Sequence, residues 1–427
     1  MTAARATRRQ FLKTTAAAAA AVSFPSPMRA QGAGPNVVVI GGGFGGTACA
    51  RALRKADPAI QVTLITGNDR YFASPHSNAG IAGLIDLNQQ LFSYDRVGAG
   101  GIDVKITNAT AIDPVKKTVR FNAGGAPLPY ERLVMSPGIQ LLKGFVPGYD
   151  DRAMSRMPAA YFNGGEASQL RGELEAMEDG GTVVISSPVN PARCPPAPYE
   201  RAGLIAHYLK AKKPKSKVIV LDAKESFTMQ KLFEAAWAEL YPGLIEWIGL
   251  SNGGALSEVD VGTKTLSTDF DKYKAAVASI IPPQKAGAAA ELAGVADRTG
   301  WCPVDPLTFE SRLQKNIHVI GDAAIAGAMP RSASAAQSQA RICAGAIAAL
   351  LAGKTPAAPT LTSSCYSLIA PDYAISQKGT YRPADGQYVE AEGGLLLSPA
   401  NAPRSTRKTE AEQADTWFKT ITGEVFG

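Results

Sequence analysis

Val37-Val38-Val39-Ile40-Gly41-Gly42-Gly43-Phe44-Gly45-Gly46 is the stretch from which the fold follows. Four β-branched residues in a row read as a strand buried on both faces, as in a parallel sheet. Gly41, Gly43 and Gly46 then occupy the three positions of a G-x-G-x-x-G turn, and Thr47–Lys55 reads as a helix. The first glycine permits the tight turn and the second lets backbone approach a pyrophosphate. The third lets the helix pack on the strand. A second strand, Gln61–Ile65, follows about twenty residues after the turn, the context in which the motif binds a dinucleotide. The acidic residue expected after that strand, to hold the ribose hydroxyls, is replaced by Thr66. Asn68 and Asp69 lie nearby.

Two later segments decide which dinucleotide is meant. Leu133-Val134-Met135-Ser136-Pro137-Gly138 ends a strand in a turn that returns the chain beside the first loop. Ile317-His318-Val319-Ile320-Gly321-Asp322-Ala323-Ala324 is a strand running into Gly-Asp and a helix. The Asp322 carboxylate is placed to accept from the ribityl chain of a flavin, and this layout belongs to flavoproteins with two dinucleotide domains. FAD is therefore expected at the first site. A second α/β unit begins near Gly180, with a strand Thr182–Ser187, a helix Tyr199–Lys212 and a strand Lys217–Leu221 ending at Asp222. Its first turn carries Pro188 and Pro191 where a nicotinamide nucleotide would need glycines. Proline offers neither an N–H nor a close backbone approach. Nicotinamide is not expected as the electron donor.

The ends of the chain and its charge narrow the function. Thr7-Arg8-Arg9-Gln10-Phe11-Leu12-Lys13, the weakly apolar run Ala16–Val22 and a cleavage point after Ala30 read as a twin-arginine export signal over residues 1–30. A mature periplasmic chain starting near Gln31 is expected. The formal charge of +7 is concentrated there: five of the 44 basic residues and no acid lie in residues 1–30, leaving 39 against 37. A body so close to neutral does not suit a phosphate-binding surface, so nucleic acid is not expected as partner. No segment reaches about 18 continuous apolar residues, so membrane insertion is not expected either.

Five cysteines remain. Cys194 lies in Arg-Cys-Pro-Pro just past a strand's carboxyl end, where open α/β sheets build their sites. Cys365 follows the Gly-Asp unit, in Ser363-Ser364-Cys365-Tyr366. Cys49 and Cys343, each on an Ala-rich helix, and Cys302 in Gly300-Trp301-Cys302-Pro303 read as small buried residues.

Several long runs together resemble the flavoprotein subunit of flavocytochrome c sulfide dehydrogenase, over nearly all of the mature chain. They are Arg193-Cys194-Pro195-Pro196-Ala197-Pro198-Tyr199-Glu200-Arg201, Leu240-Tyr241-Pro242-Gly243-Leu244-Ile245-Glu246-Trp247, Gly300–Val304, Ile320–Arg331 and Cys365–Pro371. The resemblance implies an α/β fold of two Rossmann-like domains, glutathione-reductase-like, with a C-terminal α+β domain. It implies oxidation of sulfide with a c-type cytochrome subunit as acceptor. It also implies a redox disulfide between Cys194 and Cys365, with Cys49, Cys302 and Cys343 left reduced. Cys194 is the expected persulfide carrier, and Glu200, at the start of the next helix, the expected proton acceptor. A salt bridge to Arg193 or Arg201 is the competing role for Glu200. No C-x-x-C-H occurs, so haem must lie on another chain, and no metal site is expected.

Fold analogy divides the chain into an FAD-binding domain at 35–147 and 287–356, a second nucleotide-like domain at 148–286 without an NAD site, and a C-terminal domain at 357–427. Cofactor contacts are expected at Gly41, Gly43, Gly46, Thr66, Ser74, Gly138, Gly321 and Asp322. In the family, a Tyr-Tyr-Thr-Cys-Pro-Leu-Ser-Asn stretch carries a cysteine bonded to the flavin. The corresponding stretch here is Tyr71-Phe72-Ala73-Ser74-Pro75-His76-Ser77-Asn78, so FAD is expected to be non-covalent. Thr66 and Ser74 depart from the family, which leaves room for a flavin-binding or sulfur-carrying paralogue without turnover. A sulfide:quinone oxidoreductase is the other alternative. It would need a membrane-binding C-terminus, whereas the stripe Trp417, Phe418, Ile421, Val425 and Phe426 is expected to dock on the protein's own core.

Overall fold

The computed structural model describes residues 34–122 and 124–427, so the export signal lies outside the described residues. In chain order, the elements that place the site begin with β1 (Asn36–Ile40), α1 (Phe44–Ala56), β2 (Gln61–Thr66), β3 (Asp103–Ile106) and β4 (Arg132–Met135). Next come β5 (Thr182–Ser187), α2 (Ala197–Lys212), β6 (Lys217–Asp222), β7 (Ile245–Ile248), β8 (Val277–Ile280), β9 (Ile317–Val319) and α3 (Ala333–Leu351). The chain closes with β10 (Leu361–Ala370), β11 (Tyr373–Ala384), β12 (Gln387–Leu397) and α4 (Arg404–Phe426).

A five-stranded parallel sheet runs β9-β4-β1-β2-β3, with β1 paired to β2 and β4 in register. Val37, Val38, Val39 and Ile40 are buried, as a central strand covered on both faces requires. The chain leaves β1 through Gly41, whose φ of +112° and whose approach to the Ser136 carbonyl leave no room for a Cβ. A Cβ at Gly46 would run into the carbonyl of Gly41, which explains the third glycine as a matter of backbone packing. The helix starts at Phe44, three residues earlier than the sequence suggests, because the turn is completed by Gly43 as N-cap and the last two glycines form the first helical turn.

A second parallel sheet runs β7-β6-β5-β8. Two Rossmann-like units therefore stand in the chain, as expected. The C-terminal segment is an antiparallel three-stranded sheet, β10-β11-β12, with α4 packed on β11. In α4, Ile421, Val425 and Phe426 are buried, so the apolar stripe docks on the protein itself. Among the described residues no helix is long and apolar enough to cross a membrane.

Candidate active site

One cavity of about 290 Å³ opens at the carboxyl ends of β1, β4 and β9. Ten of the expected site residues line it: Gly41, Gly43, Thr66, Ser74, Gly138, Cys194, Glu200, Gly321, Asp322 and Cys365. Gly46 does not; it serves the turn. Asn68 reaches the wall, whereas Asp69 does not.

The upper part of the cavity has the features of a cofactor cradle. Side chains on Gly42 or Gly45 would meet the Tyr94 hydroxyl and Ser136 Oγ, so bare backbone faces the space there. Tyr94 donates to the Gly42 carbonyl at 2.8 Å and meets Thr66 Oγ1 at 3.2 Å, so Thr66 braces the glycine turn. Asp322 Oδ1 is shut off from water and has no hydrogen-bond partner among the described residues. Burial raises the Asp322 pKa, against the pull of Arg193 and Arg331. An orphaned buried acceptor is costly until a donor reaches it, and a polyol hydroxyl is such a donor. The residues present thus fit a flavin dinucleotide. At the expected attachment position, Ser74 Oγ donates to the Tyr161 carbonyl at 2.9 Å. His76, two residues on, stacks on Phe418 at 4.8 Å and lies 3.6 Å from Asp415. Burial nevertheless lowers its pKa.

The lower part of the cavity gathers the sulfur residues. Cys194 sits in a left-handed conformation, φ 51°, which is uncommon for a residue with a side chain. Its N–H donates to the Arg331 carbonyl at 2.8 Å, and its own carbonyl accepts from Ala197 at the head of α2 at 2.9 Å. Cys365 comes from the middle of β10, opposite Gln377. All five cysteines are free thiols, so the Cys194–Cys365 disulfide implied by the resemblance is not formed in this structure. The two side chains interact as thiols instead. A hydrogen bond involving Cys194, followed by burial and nearby negative charge, raises the Cys365 pKa well above that of an ordinary thiol.

Glu200, on the first turn of α2, is 8% exposed and accepts from the Leu368 N–H of β10 at 3.4 Å. Burial raises its pKa to about 7, opposed by Leu368, Asn78 and Arg201. It forms no ion pair within 4.0 Å among the described residues, so the salt-bridge role is not the one it plays. The neighbouring Arg201 guanidinium is spent on structure: it donates to Asn78 Oδ1, the Ala159 and Ala160 carbonyls and Ser279 Oγ at 2.7–3.1 Å. Arg193 lies over the Tyr161 and Phe162 rings and donates to the Tyr161 carbonyl. Sequence reasoning missed these two arginines, Tyr161 and Trp417, all on the cavity wall. Trp417 belonged to a stripe with a recognised helical spacing, but nothing in that spacing tells a core from a cavity wall.

In the second unit the carboxylate at the end of β6 is already engaged. Asp222, at the end of β6, is fully buried and accepts from Tyr199 Oη at 2.6 Å, Trp247 Nε1 at 3.0 Å and Lys224 Nζ at 2.6 Å. Phe227 stacks on Tyr199 at 3.6 Å, and Lys224 also donates to the Pro188 carbonyl. The carboxylate that a ribose would require is thus already saturated from within.

Comparison with known proteins agrees with this geometry. The family description "sulfide dehydrogenase (flavocytochrome c) flavoprotein chain, central" matches residues 167–282, and "flavocytochrome c sulphide dehydrogenase, flavin-binding" matches residues 357–426. A pyridine nucleotide-disulphide oxidoreductase description matches residues 35–162, and a twin-arginine translocation signal sequence residues 6–25. The chain is 54% identical over 44 residues to the sulfide dehydrogenase (flavocytochrome c) flavoprotein chain of Chlorobaculum thiosulfatiphilum, covering 10% of this chain and 92% of that sequence. It is 23% identical over 303 residues to the mitochondrial sulfide:quinone oxidoreductase of Mus musculus, a match that spans 67% of this chain and 65% of that protein. The crystal structure of the sulfide:quinone oxidoreductase from Aquifex aeolicus superposes with a TM-score of 0.72 at 17% identity, covering 91% of this chain and 92% of that one. At that identity the likeness speaks for the fold.

Proposed function

This chain belongs to the family of flavoprotein chains of flavocytochrome c sulfide dehydrogenase, and on that premise we propose that it oxidises sulfide through Cys194 and Cys365 and passes the electrons to a c-type cytochrome subunit. It carries a twin-arginine signal and is exported to the periplasm. The observation that carries the proposal is the meeting of Cys194 and Cys365, from distant parts of the sequence, on the cavity that also holds the Gly41 turn and Asp322. We assign residues 35–147 and 287–356 to the FAD-binding domain, since β9 completes the sheet begun by β1. Residues 148–286 form the second nucleotide-like domain and 357–427 the C-terminal domain.

In the oxidised protein the two cysteines form a disulfide. Hydrosulfide attacks the Cys194 sulfur, a bond forms between that sulfur and the incoming one, and the bond to Cys365 breaks. Cys194 then carries the persulfide and Cys365 leaves as thiolate. Glu200, with a pKa of about 7, is half ionised near neutrality and takes the proton that sulfide or the persulfide gives up. The left-handed turn at Cys194 and its two backbone hydrogen bonds hold the attacked sulfur at one place on the wall. FAD, held by Gly41, Gly43, Thr66, Gly138, Gly321 and Asp322, supplies when bound an acceptor that takes two electrons and can return them singly. With Ser74 committed to Tyr161 and no thiol at that position, the FAD is held non-covalently. The test is to mix the purified holoprotein with sulfide without oxygen and then add oxidised cytochrome c. The proposal expects the yellow colour to bleach and return as cytochrome is reduced; a flavin that sulfide leaves untouched would refute it.

A further inference from the structure

α1 and α3 both begin at the cofactor end of the first sheet, and the faces they turn to the interior are rich in small residues. Gly45, Gly46, Cys49 and Ala50 are buried on α1, and Ala336, Ala340, Cys343 and Ala344 on α3. A Cβ at Gly45 would lie 3.6 Å from the Cβ of Ala336, so the helices touch where they start. Cys49 is about one helical turn beyond Gly45, and Cys343 about two beyond Ala336. Small side chains at such a contact bring backbones close enough for the short span a disulfide requires. The two cysteines lie on these packed faces, in one buried core cluster. Both cysteines are 0% exposed, and burial together with a hydrogen bond and charge from Cys49 drives the Cys343 pKa well up.

Taken singly, each thiol is an ordinary core residue, which is how the sequence reads them. As a pair on two packed helices of a chain exported to an oxidising compartment, they are a candidate dithiol. We propose that Cys49 and Cys343 are a second disulfide site, whose closure ties together the two helices that flank the cofactor cradle. The oxidant is a disulfide, whether of a small molecule or of an oxidant protein. One cysteine thiolate attacks it, forming a mixed disulfide and releasing one thiol. The second thiolate then displaces the other half, so that the Cys49–Cys343 bond closes and the oxidant has left as two thiols. Two electrons pass from the pair to the oxidant, and the two cysteine protons end on its two departing thiols. Sulfide and flavin take no part, so this inference stands whether or not the proposed function does. Because the sulfurs are buried and their thiolates disfavoured, closure waits on local opening of the helix pair and is slow. Cys302 has no cysteine neighbour among the described residues. Burial raises its pKa to about 12, and it stays a thiol.

Protein purified from the periplasm should be denatured in the presence of an alkylating agent, digested without reduction and mapped by mass. The expected result is a cross-linked species joining the Cys49 and Cys343 peptides, separate from any species joining Cys194 and Cys365, with Cys302 alkylated. A second sample, the folded holoprotein incubated with oxidised glutathione at low denaturant, covers slow closure. There Cys49 and Cys343 should lose alkylation together, and Cys343→Ala should leave Cys49 unable to form the internal bridge. A cross-link in either sample supports the proposal. Free alkylated thiols at both positions in both samples, or separate glutathione adducts without a bridge, would overturn it.

Discussion

Replacing Glu200 by Gln has two opposite consequences, and their combination is hard to mimic by accident. In the folded chain burial lifts the Glu200 pKa from 4.5 to about 7. Between those values the folded state binds the proton more tightly than the unfolded chain does. Its stabilising contribution is therefore complete below about pH 4.5 and is lost as pH rises to about 7. At about 1.4 kcal/mol per pH unit, the loss reaches about 3 kcal/mol on the alkaline side. A neutral amide has no charge to desolvate, so Glu200→Gln should be more stable than the parent at about pH 8.5 by up to about 3 kcal/mol and close to it at about pH 5. Denaturant unfolding at the two pH values reads this directly. Activity should move the other way: losing a positioned proton acceptor lowers the rate of sulfide-dependent flavin reduction by about 10²–10⁴. The parent-to-variant ratio should grow as pH rises through about 7, and the substrate's own ionisation cancels in that ratio. A variant with the parental rate at every pH would refute the proton-transfer role. One no more stable on the alkaline side would refute the buried carboxylate.

Three further outcomes follow from the cavity. Acid precipitation should leave the yellow colour in the supernatant, because Ser74 offers no thiol; a yellow pellet would show a covalent bond. NADH and NADPH should not bleach the flavin without oxygen, since Asp222 is saturated by Tyr199, Trp247 and Lys224; rapid bleaching by either would contradict this reading of the second unit. Phe426→Ala should release FAD faster on gel filtration while sparing the fold. Phe426 stacks on Tyr71 at 5.2 Å and meets Phe44 of the glycine turn edge-on at 5.6 Å, and removing a buried Phe costs about 3–5 kcal/mol. Unchanged retention of FAD would place α4 outside cofactor binding.

The parallel sheet and its cradle were legible because their residues are dictated locally. Val37–Ile40 must be a buried strand, and Gly41 and Gly46 occupy positions that no side chain fits. Pro188 and Pro191 argue against a nicotinamide site in the same local way. How Asp222 is engaged was not legible, because it meets Tyr199 and Trp247 only through packing between β6, α2 and β7. The same holds for Trp417 and Phe426, whose helical spacing shows a buried face but not what lies under it. Cys49 and Cys343 each looked like a small apolar residue on an Ala-rich helix; their meeting depends on how α1 lies against α3. The expected Cys194–Cys365 bond rested on resemblance alone, and the structure brings the two thiols together without joining them.

The most direct test of the account is anaerobic addition of sulfide to Cys365→Ser holoprotein, followed by the visible absorbance of the flavin. The serine variant should keep its FAD and stay yellow at sulfide concentrations that bleach the parent, because no disulfide can form for sulfide to open. Bleaching of the variant at the parental rate would show that electrons reach the flavin without the cysteine pair, and would contradict the central claim.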